Sequence, residues 1–227
     1  MMTKVLVVVT NNHRFGDQKR ATGLWLSESV HFHAVMAAHQ IDVDYMSPRG
    51  GYVPLDPGSL ADMDDTTWQF YDDEKFRNQY LAKTLAPADV NPADYAAIYF
   101  AGGHGVLWDF PNNPDLAKVA DAIHQNGGIT AAVCHGVVGL LGLHATDGTE
   151  LIAGKHVAGF SNEEEAINQL TDAVPFLTED ALIKAGGQYT SAQAYTEHVV
   201  VDGKLVTGQN PQSAKGVADA VVKLLQA

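Results

Sequence analysis

The sequence predicts an α/β fold in which helices cover a mostly parallel sheet. Strand, helix and strand patterns succeed one another within residues 4–46, and this order builds a βαβ unit with parallel strands. Residues 4–9 form a continuous β-branched run, which is typical of a strand buried on both faces of such a sheet. At 227 residues the chain fits a single domain, residues 1–227, with a full core.

The first half of the chain alternates strand and helix until an unusual segment begins. A helix is predicted over residues 22–39 and a second strand over residues 41–46, followed by a Ser-Pro-Arg-Gly-Gly turn. Residues 52–91 then combine loops rich in Pro and Asp with an acidic helical stretch that carries many aromatic side chains. Two structures suit this segment equally: a small cap inserted near the functional site, or a helix packed on the edge of the sheet.

The second half returns to the sheet. A third strand over residues 94–101 ends in a glycine-rich loop, and a helix over residues 113–126 leads to a fourth strand over residues 129–133. A short strand at 155–160 and a short helix at 162–170 follow. Asp202-Gly203 predicts a hairpin between strands at 198–201 and 204–207, and the last helix spans residues 213–225.

The acidic composition argues against several classes of partner. With 14 basic and 27 acidic residues the net charge is -13, which disfavours binding to nucleic acid or to an anionic membrane. No apolar run approaches the roughly 20 residues that span a bilayer, and the start Met-Met-Thr-Lys lacks a signal-peptide pattern. A single cysteine excludes an internal disulfide. We therefore expect a cytoplasmic protein.

The only cysteine, Cys134, lies where the fourth strand meets a predicted helix. A nucleophile at such a turn is held on a tight backbone corner, as in the nucleophile elbow of hydrolases, and the small residues Ala132 and Gly136 let the corner close. Amides at the start of the helix are expected to lower the thiol pKa and to supply thiolate near neutral pH. The alternative is a buried, unreactive cysteine.

Two backbone amides are candidates for an oxyanion hole beside this thiol. Ligands bind at the carboxyl ends of parallel strands, where the loop Gly102-Gly103-His104-Gly105 and the Cys134 turn are expected to converge. The amides of Gly103 and of His135, the residue after the nucleophile, are the candidate donors. Turn formation alone also explains the glycines, and adjacency in sequence does not guarantee that the His135 imidazole reaches the sulfur.

Glu28, near the start of the first helix, is the candidate acid–base group. A carboxyl group beside the thiol would have a raised pKa and could donate or accept a proton. Most glutamates at such a position only complement the helix dipole. Glu28 and His31 share a helical face, with His33 nearby, but a second ligand pair is missing, so no metal site is predicted.

Blocks of sequence distributed over almost the whole chain together resemble the DJ-1/PfpI superfamily. Their order, spacing and length are most similar to the Hsp31-like branch, and the set is far more specific than any one block. The blocks are Thr22-Gly23-Leu24-Trp25-Leu26-Ser27-Glu28, Ser47-Pro48-Arg49-Gly50-Gly51, Pro54-Leu55-Asp56-Pro57, Ala101-Gly102-Gly103-His104-Gly105, Ala131-Ala132-Val133-Cys134-His135-Gly136, Gly159-Phe160-Ser161-Asn162-Glu163-Glu164-Glu165 and Val206-Thr207-Gly208-Gln209-Asn210-Pro211.

The resemblance implies a flavodoxin-like three-layer sandwich, usually a homodimer, with a Cys-His-acid triad, a nearby glutamate and no cofactor. Cys134 takes the place of the nucleophile, His135 that of the histidine and Glu28 that of the glutamate. The triad acid comes from Glu163, Glu164 or Glu165, and matching the blocks favours Glu165. Segment 52–91 matches the place where the branch carries its cap.

The activity that the resemblance implies is glutathione-independent glyoxalase, which converts methylglyoxal, a small reactive carbonyl compound, to lactate. Protein deglycase and holding-chaperone activities are also attributed to members. An oxidation sensor at Cys134 is a further alternative, and a cysteine peptidase or amidase ranks lower because a glutamate would crowd the thiol. Glutamine amidotransferases share the cysteine elbow but need a His-x-Glu pair, and no histidine here is followed two positions later by Glu.

Overall fold

The computed structural model describes residues 4–227, so Met1–Thr3, part of the start used in the signal-peptide argument, lie outside the described residues. A six-stranded sheet has the order β2-β1-β3-β4-β8-β7 and is parallel except for the antiparallel pair β7 and β8, and β5 and β6 form a separate two-stranded sheet. The strands are β1 Lys4–Val8, β2 Asp42–Met46, β3 Ala97–Phe100, β4 Ile129–Val133, β5 His156–Val157, β6 Gln188–Tyr189, β7 Val199–Asp202 and β8 Leu205–Gly208.

Helices cover both faces of the six-stranded sheet. The core divides into two apolar clusters, one beneath the first and last helices and one beneath the central long helix. This arrangement confirms the predicted three-layer α/β sandwich with a mostly parallel sheet. The helices are α1 Leu26–Ala38, α2 Pro57–Ala61, α3 Asp65–Asp72, α4 Glu74–Phe76 with a π-helical turn at Arg77–Leu81, α5 Pro114–Gln125, α6 Asn162–Ile167, α7 Thr178–Lys184 and α8 Ala214–Leu225.

Helix α1 begins later than the predicted residue 22, at Leu26. The preceding residues pair instead with residues 54–56: the Leu24 amide donates to the Pro54 carbonyl at 2.8 Å, and the Asp56 amide donates to the Leu24 carbonyl at 2.9 Å. Tertiary backbone hydrogen bonds therefore override the helical pattern here. The consequence for the site is that Glu28 lies in the first turn of α1.

The aromatic part of segment 52–91 packs against α1 and the edge strand β2. Phe76 is 2% exposed and lies edge-on to the rings of His33 and Tyr45, whereas Trp68 is 46% exposed. Of the two structures predicted for this segment, the aromatic part adopts packing at the sheet edge. Only the beginning of the segment, residues 56–58, approaches the cavity described below.

The predicted C-terminal hairpin forms one residue later than expected: Asp202 ends β7 and pairs with Leu205, so Gly203 and Lys204 make the turn. It adds β7 as an antiparallel edge and places β8 beside β4 in the middle of the sheet. Among residues 4–227, none of the helices combines the length and apolar character needed to cross a membrane.

Candidate active site

Cys134 lies on a left-handed backbone corner directly after β4. Its φ is +56°, a conformation that costs a residue with a side chain about 1–2 kcal/mol. The segment that follows, Cys134–Leu140, is a 3-10 helix, whereas the sequence predicted a helix without specifying its type. The thiol is 3% exposed. The predicted strand-to-helix turn is thus present, with its cysteine nearly buried.

The loop after β3 approaches the Cys134 turn and the start of α1 closely. A side chain at Gly102 would place its Cβ 2.8 Å from the Glu28 carboxyl and 3.0 Å from the His135 amide. Gly103 has φ +97°, and a Cβ there would lie 2.4 Å from the backbone nitrogen of Trp25. Only glycine fits such a contact. Within residues 4–227 no hydrogen bond uses the Gly103 amide, and Gly103 lines the same cavity as Cys134. The oxyanion role of Gly103 and His135 stays a prediction.

The Glu28 carboxyl group is fully buried beside the thiol. The Gly102 amide donates to Oε2 at 2.6 Å, and Oε1 has no nitrogen or oxygen partner among residues 4–227. Burial raises the Glu28 pKa to about 8, against the lowering effect of hydrogen bonds with Cys134 and Gly102. Glu28 is therefore a protonated acid at neutral pH, as its place beside the thiol suggested, but burial rather than a neighbouring charge is the main cause.

The thiol pKa corrects an expectation from the sequence. Burial, followed by the charge and hydrogen bond of Glu28, raises the Cys134 pKa well above its usual value, and the His135 amide only partly opposes this shift. The turn was expected to lower the pKa. A single 3-10 segment in a buried setting supplies too little positive potential to offset desolvation and a neighbouring carboxyl group. The resting thiol is protonated and needs a base to react.

The imidazole of His135 is adjacent to this thiol in sequence and in space. Cys134 Sγ lies 3.5 Å from His135 Nδ1, and His135 Nε2 lies 2.8 Å from Glu165 Oε2. Both the imidazole and the carboxyl group are buried. Adjacency in sequence alone did not guarantee contact between these two side chains. With the left-handed corner at Cys134, the His135 ring lies against the sulfur.

The three consecutive glutamates have different surroundings. Glu163 is exposed. Glu164 is buried and accepts hydrogen bonds from Ser161, Asn210 and the Tyr195 amide, so it ties α6 to two loops. Glu165 is the one that contacts His135. The geometry therefore singles out Glu165, which the sequence blocks favoured over its neighbours.

His104 is a fifth residue of the site, and sequence reasoning missed its side chain. Its Nε2 lies 2.9 Å from Glu165 Oε1, and its ring centroid is 4.2 Å from that of His135. The signal that could have identified it is its position in the glycine-rich loop, where only the backbone was considered.

The two imidazoles influence the protonation of Glu165, and His104 also influences that of His135. Burial alone would raise the Glu165 pKa, but hydrogen bonds from His104 and His135 outweigh burial and hold that pKa well below its usual value. Burial, and then the proximity of His104, lowers the His135 pKa to about 4. An ionised Glu165 thus accepts Nε2–H from both rings, which leaves the Nδ1 lone pair of a neutral His135 toward the sulfur.

A cavity of about 340 Å³ opens in front of Cys134. Its walls are largely apolar and aromatic, and Arg20 and Asp56 are the charged residues among them. Sequence reasoning did not identify these walls, because residues from distant loops form them. The lining residues are Arg20, Ala21, Trp25, Asp56, Pro57, Gly58, Gly103, His104, Cys134, His135, Phe160, Asn168, Leu170, Tyr195 and Pro211.

The weak metal alternative at Glu28, His31 and His33 has no geometric support. His31 contacts Asp64 at 2.9 Å, His33 lies among aromatic rings, and the ligand-type atoms of the three residues do not converge. Elsewhere in residues 4–227, His104, His135 and Glu165 place ligand-type atoms within 4.8 Å of one another. Both imidazoles lie within hydrogen-bond distance of the carboxylate there.

Comparisons with known proteins identify the family of this chain. The model of the DJ-1/PfpI family matches residues 21–224. The chain is 35% identical to the glutathione-independent glyoxalase HSP31 of Saccharomyces cerevisiae, over 95% of this chain and 94% of that protein. It is 31% identical to glyoxalase 3 of Candida albicans, over 97% and 98% of the two chains.

Solved structures also resemble this chain over nearly its whole length. The crystal structure of glyoxalase III from Candida albicans superposes with a TM-score of 0.89 at 29% identity, covering 98% of this chain and 97% of that one. The rapid encystment protein of 24 kDa from Francisella tularensis superposes with a TM-score of 0.94 at 41% identity, covering 99% of each chain.

Proposed function

The chain belongs to the DJ-1/PfpI family, and we propose that it is a glutathione-independent glyoxalase that converts methylglyoxal and related 2-oxoaldehydes to 2-hydroxy acids. The full-length similarity to proteins named as glyoxalases supports this activity. The observation that carries the proposal is a thiol flanked by a carboxyl group and an imidazole at the wall of a cavity. Such a site supplies from the protein the thiol that glutathione would otherwise provide.

The first step is addition of Cys134 to the aldehyde. As Sγ forms a bond to the aldehyde carbon, the thiol proton passes to His135 Nδ1, and the Glu165 carboxylate stabilises the resulting imidazolium. The aldehyde oxygen becomes the hemithioacetal oxyanion, and the amides of Gly103 and His135 are the proposed donors to it. Protonation of the oxyanion by the imidazolium completes the hemithioacetal.

The second step moves hydrogen between the two former carbonyl carbons. A base removes the proton from the carbon bonded to sulfur, an enediol forms, and a proton is delivered to the neighbouring carbon. Because Glu28 is protonated at neutral pH, His135, neutral again after the first step, is the proposed base that carries the proton from one carbon to the other. Glu28, beside the sulfur with Oε1 unpaired, is the proposed acid: it protonates the ketone oxygen as the enediol forms, and its carboxylate takes the other hydroxyl proton as the thioester forms. The product is a thioester of the 2-hydroxy acid, and water then cleaves it to release the acid and the thiol. One carbon is oxidised and its neighbour reduced, so no external oxidant or reductant takes part.

An assay with purified protein, methylglyoxal and no added thiol tests this proposal. We expect lactate to form with the wild-type protein and not with Cys134→Ala. Exposed Asp147 lies away from the cavity, and Asp147→Asn is the matched control for handling and purity. Absence of lactate from the folded wild-type protein, or an undiminished rate in Cys134→Ala, would reject the proposal.

We propose a homodimer, which light scattering during gel filtration tests directly. Deglycase activity would use the same Cys134 addition chemistry on protein-bound carbonyl adducts. A holding chaperone would suppress client aggregation even as Cys134→Ala, and an oxidation sensor would form a reversible sulfenate without turnover. A peptidase ranks lowest, since the thiol is 3% exposed.

A further inference from the structure

The carboxylate of Glu165 is held from both of its oxygens. His135 Nε2 contacts Oε2 at 2.8 Å and His104 Nε2 contacts Oε1 at 2.9 Å. Glu165 is 2% exposed and His104 is 6% exposed, so water competes little for either hydrogen bond. The mechanism above uses only the first of these contacts.

We propose that His104 is a positioning residue for the glyoxalase reaction: its hydrogen bond to Oε1 holds the Glu165 carboxylate so that Oε2 orients His135 toward Cys134. The inference rests on the proposed function and adds a residue to it. His104 acts through Glu165, and contact between its side chain and the substrate is not required.

The need for a second donor follows from the freedom of a carboxylate. With one donor only, the Glu165 carboxyl plane can rotate and offer either oxygen to His135, and the His135 ring can then tilt away from the sulfur. The Sγ to Nδ1 distance is already 3.5 Å, so a small tilt removes proton transfer. A fixed donor at Oε1 suppresses this rotation, as outer hydrogen bonds orient ligating groups in other sites.

His104 is itself well fixed as a donor. It follows Gly103, whose backbone packs against Trp25, and its ring lies 5.5 Å from that of Phe15 and 6.2 Å from that of Phe160. These contacts hold the imidazole without using its Nε2. The donor therefore stays aimed at Glu165 whether or not substrate is bound.

Three substitutions of similar size separate positioning from packing. His104→Gln can place an amide N–H close to the position of Nε2, His104→Asn carries the same amide one methylene short, and His104→Leu has no donor. We expect His104→Gln to keep kcat within about three-fold of wild type. The Asn and Leu variants should lose about 10–100-fold in kcat with little change in KM, because orientation rather than binding is impaired.

Alkylation of Cys134 by iodoacetamide gives a second readout that does not depend on turnover. The wild type and His104→Gln should react at similar rates, and the Asn and Leu variants about 10-fold more slowly. Thermal unfolding of each variant checks that the protein is folded. If His104→Leu does not fold, His104→Asn still tests the positioning role, because its amide donor lies too far from Glu165.

The outcomes distinguish the two proposals. A wild-type protein that makes no lactate rejects the glyoxalase function, while the alkylation ranking still tests whether His104 orients His135. An active wild type with His104→Leu equal to it in kcat and alkylation rate overturns the positioning role. A Gln variant as impaired as Leu overturns it as well, because the donor would then not be the property that matters.

Discussion

Glu28 places a carboxyl group where it has no contact with water. Its pKa is raised to about 8 by burial, from an ordinary value of 4.5. Between these two pH values the folded protein holds a proton that the unfolded chain releases. The contribution of Glu28 to stability is therefore fully present below pH 4.5 and is lost as the pH rises toward 8.

Glu28→Gln removes this pH-dependent cost, since glutamine imitates the protonated acid in shape and hydrogen bonding. We expect the variant to exceed the wild type in free energy of unfolding at pH 8 by about 2–5 kcal/mol, with the difference shrinking toward pH 5. Its kcat should fall at least about 100-fold. Urea denaturation at both pH values and a lactate assay measure these effects. An equal difference at pH 5 and 8 would contradict the assignment.

Glu165 and Glu164 form a natural matched pair, adjacent in sequence and both buried. Glu165→Gln replaces one acceptor oxygen by an N–H donor, so one of the two imidazoles must turn away or move its proton from Nε2 to Nδ1. We expect kcat to fall about 10²–10⁴-fold with the thermal midpoint nearly unchanged. Lactate formation and thermal unfolding, measured on the same samples, test this expectation.

Glu164→Gln is the control, and it should show the opposite pattern. Its oxygens bind Ser161, Asn210 and the Tyr195 amide, and the substitution is expected to cost about 1–3 kcal/mol of stability with kcat reduced far less. If Glu164→Gln abolished turnover while Glu165→Gln did not, the triad acid would have been assigned to the wrong residue.

The junction between β4 and the 3-10 helix is the element on which the site depends. The strand is buried along its whole length, so the turn after it cannot relax by moving the strand. Cys134 therefore keeps its left-handed φ of +56°. Local strain of this kind persists where the surrounding structure over-determines the backbone.

Substitution of Cys134 by glycine and by alanine measures this strain. Alanine retains the Cβ that disfavours positive φ, whereas glycine adopts it freely. We expect Cys134→Gly to be more stable than Cys134→Ala by about 0.5–1 kcal/mol, the reverse of the order in ordinary helices and strands. Urea denaturation of the two inactive variants compares them directly. A more stable alanine variant would show that the turn relaxes when the thiol is removed.

The sequence predicted elements well wherever a local pattern and the tertiary structure agree. The strand at 129–133 was predicted to the residue, because a short apolar run is bounded by glycines on one side and by the turn on the other. The start of α1 was predicted four residues early, because Leu24 continues the apolar spacing yet pairs with Pro54 and Asp56. No local signal reports such a tertiary pairing.

Prediction of the site had the same limit. The sequence blocks that resemble the family predicted four site residues, and the structure brings them together: Cys134, His135, Glu28 and Glu165. Their energetics did not follow, because desolvation of the thiol depends on surrounding atoms from loops far apart in sequence. His104 was overlooked for a related reason: its partner Glu165 is 61 positions away.

At the scale of the whole molecule, buried ionisable groups limit stability on both sides of neutral pH. Glu28 weakens the fold as the pH rises toward 8. His33 and His135 act in the other direction, since burial lowers both of their pKa values to about 4 from an ordinary 6.5. Between pH 6.5 and 4 these two imidazoles are protonated in the unfolded chain but not in the folded protein. The free energy of unfolding therefore decreases as the pH falls through this range. The expected maximum lies near pH 6.

His33 offers the cleanest test of the acid side because it lies apart from the active site. It packs among Tyr45, Phe70, Phe76 and Tyr80, where α1 meets segment 52–91, and its Nδ1 has no hydrogen-bond partner among residues 4–227. His33→Phe keeps an aromatic ring of similar size and cannot be protonated. Relative to wild type it should gain up to about 3 kcal/mol in free energy of unfolding between pH 6.5 and pH 4.

Chemical denaturation of His33→Phe between pH 6.5 and pH 4 tests this expectation, and lactate formation at neutral pH is measured on the same protein. Turnover should be unchanged, because the ring contacts none of the cavity residues. His31→Phe is the control for loss of an imidazole from the same helix, because the His31 side chain lies nearer the surface, where its ring nitrogen contacts Asp64. If the free energy of unfolding of both variants depended on pH as it does in the wild type, protonation of His33 would not destabilise the fold. The loss of stability below pH 6.5 would then have to originate at His135.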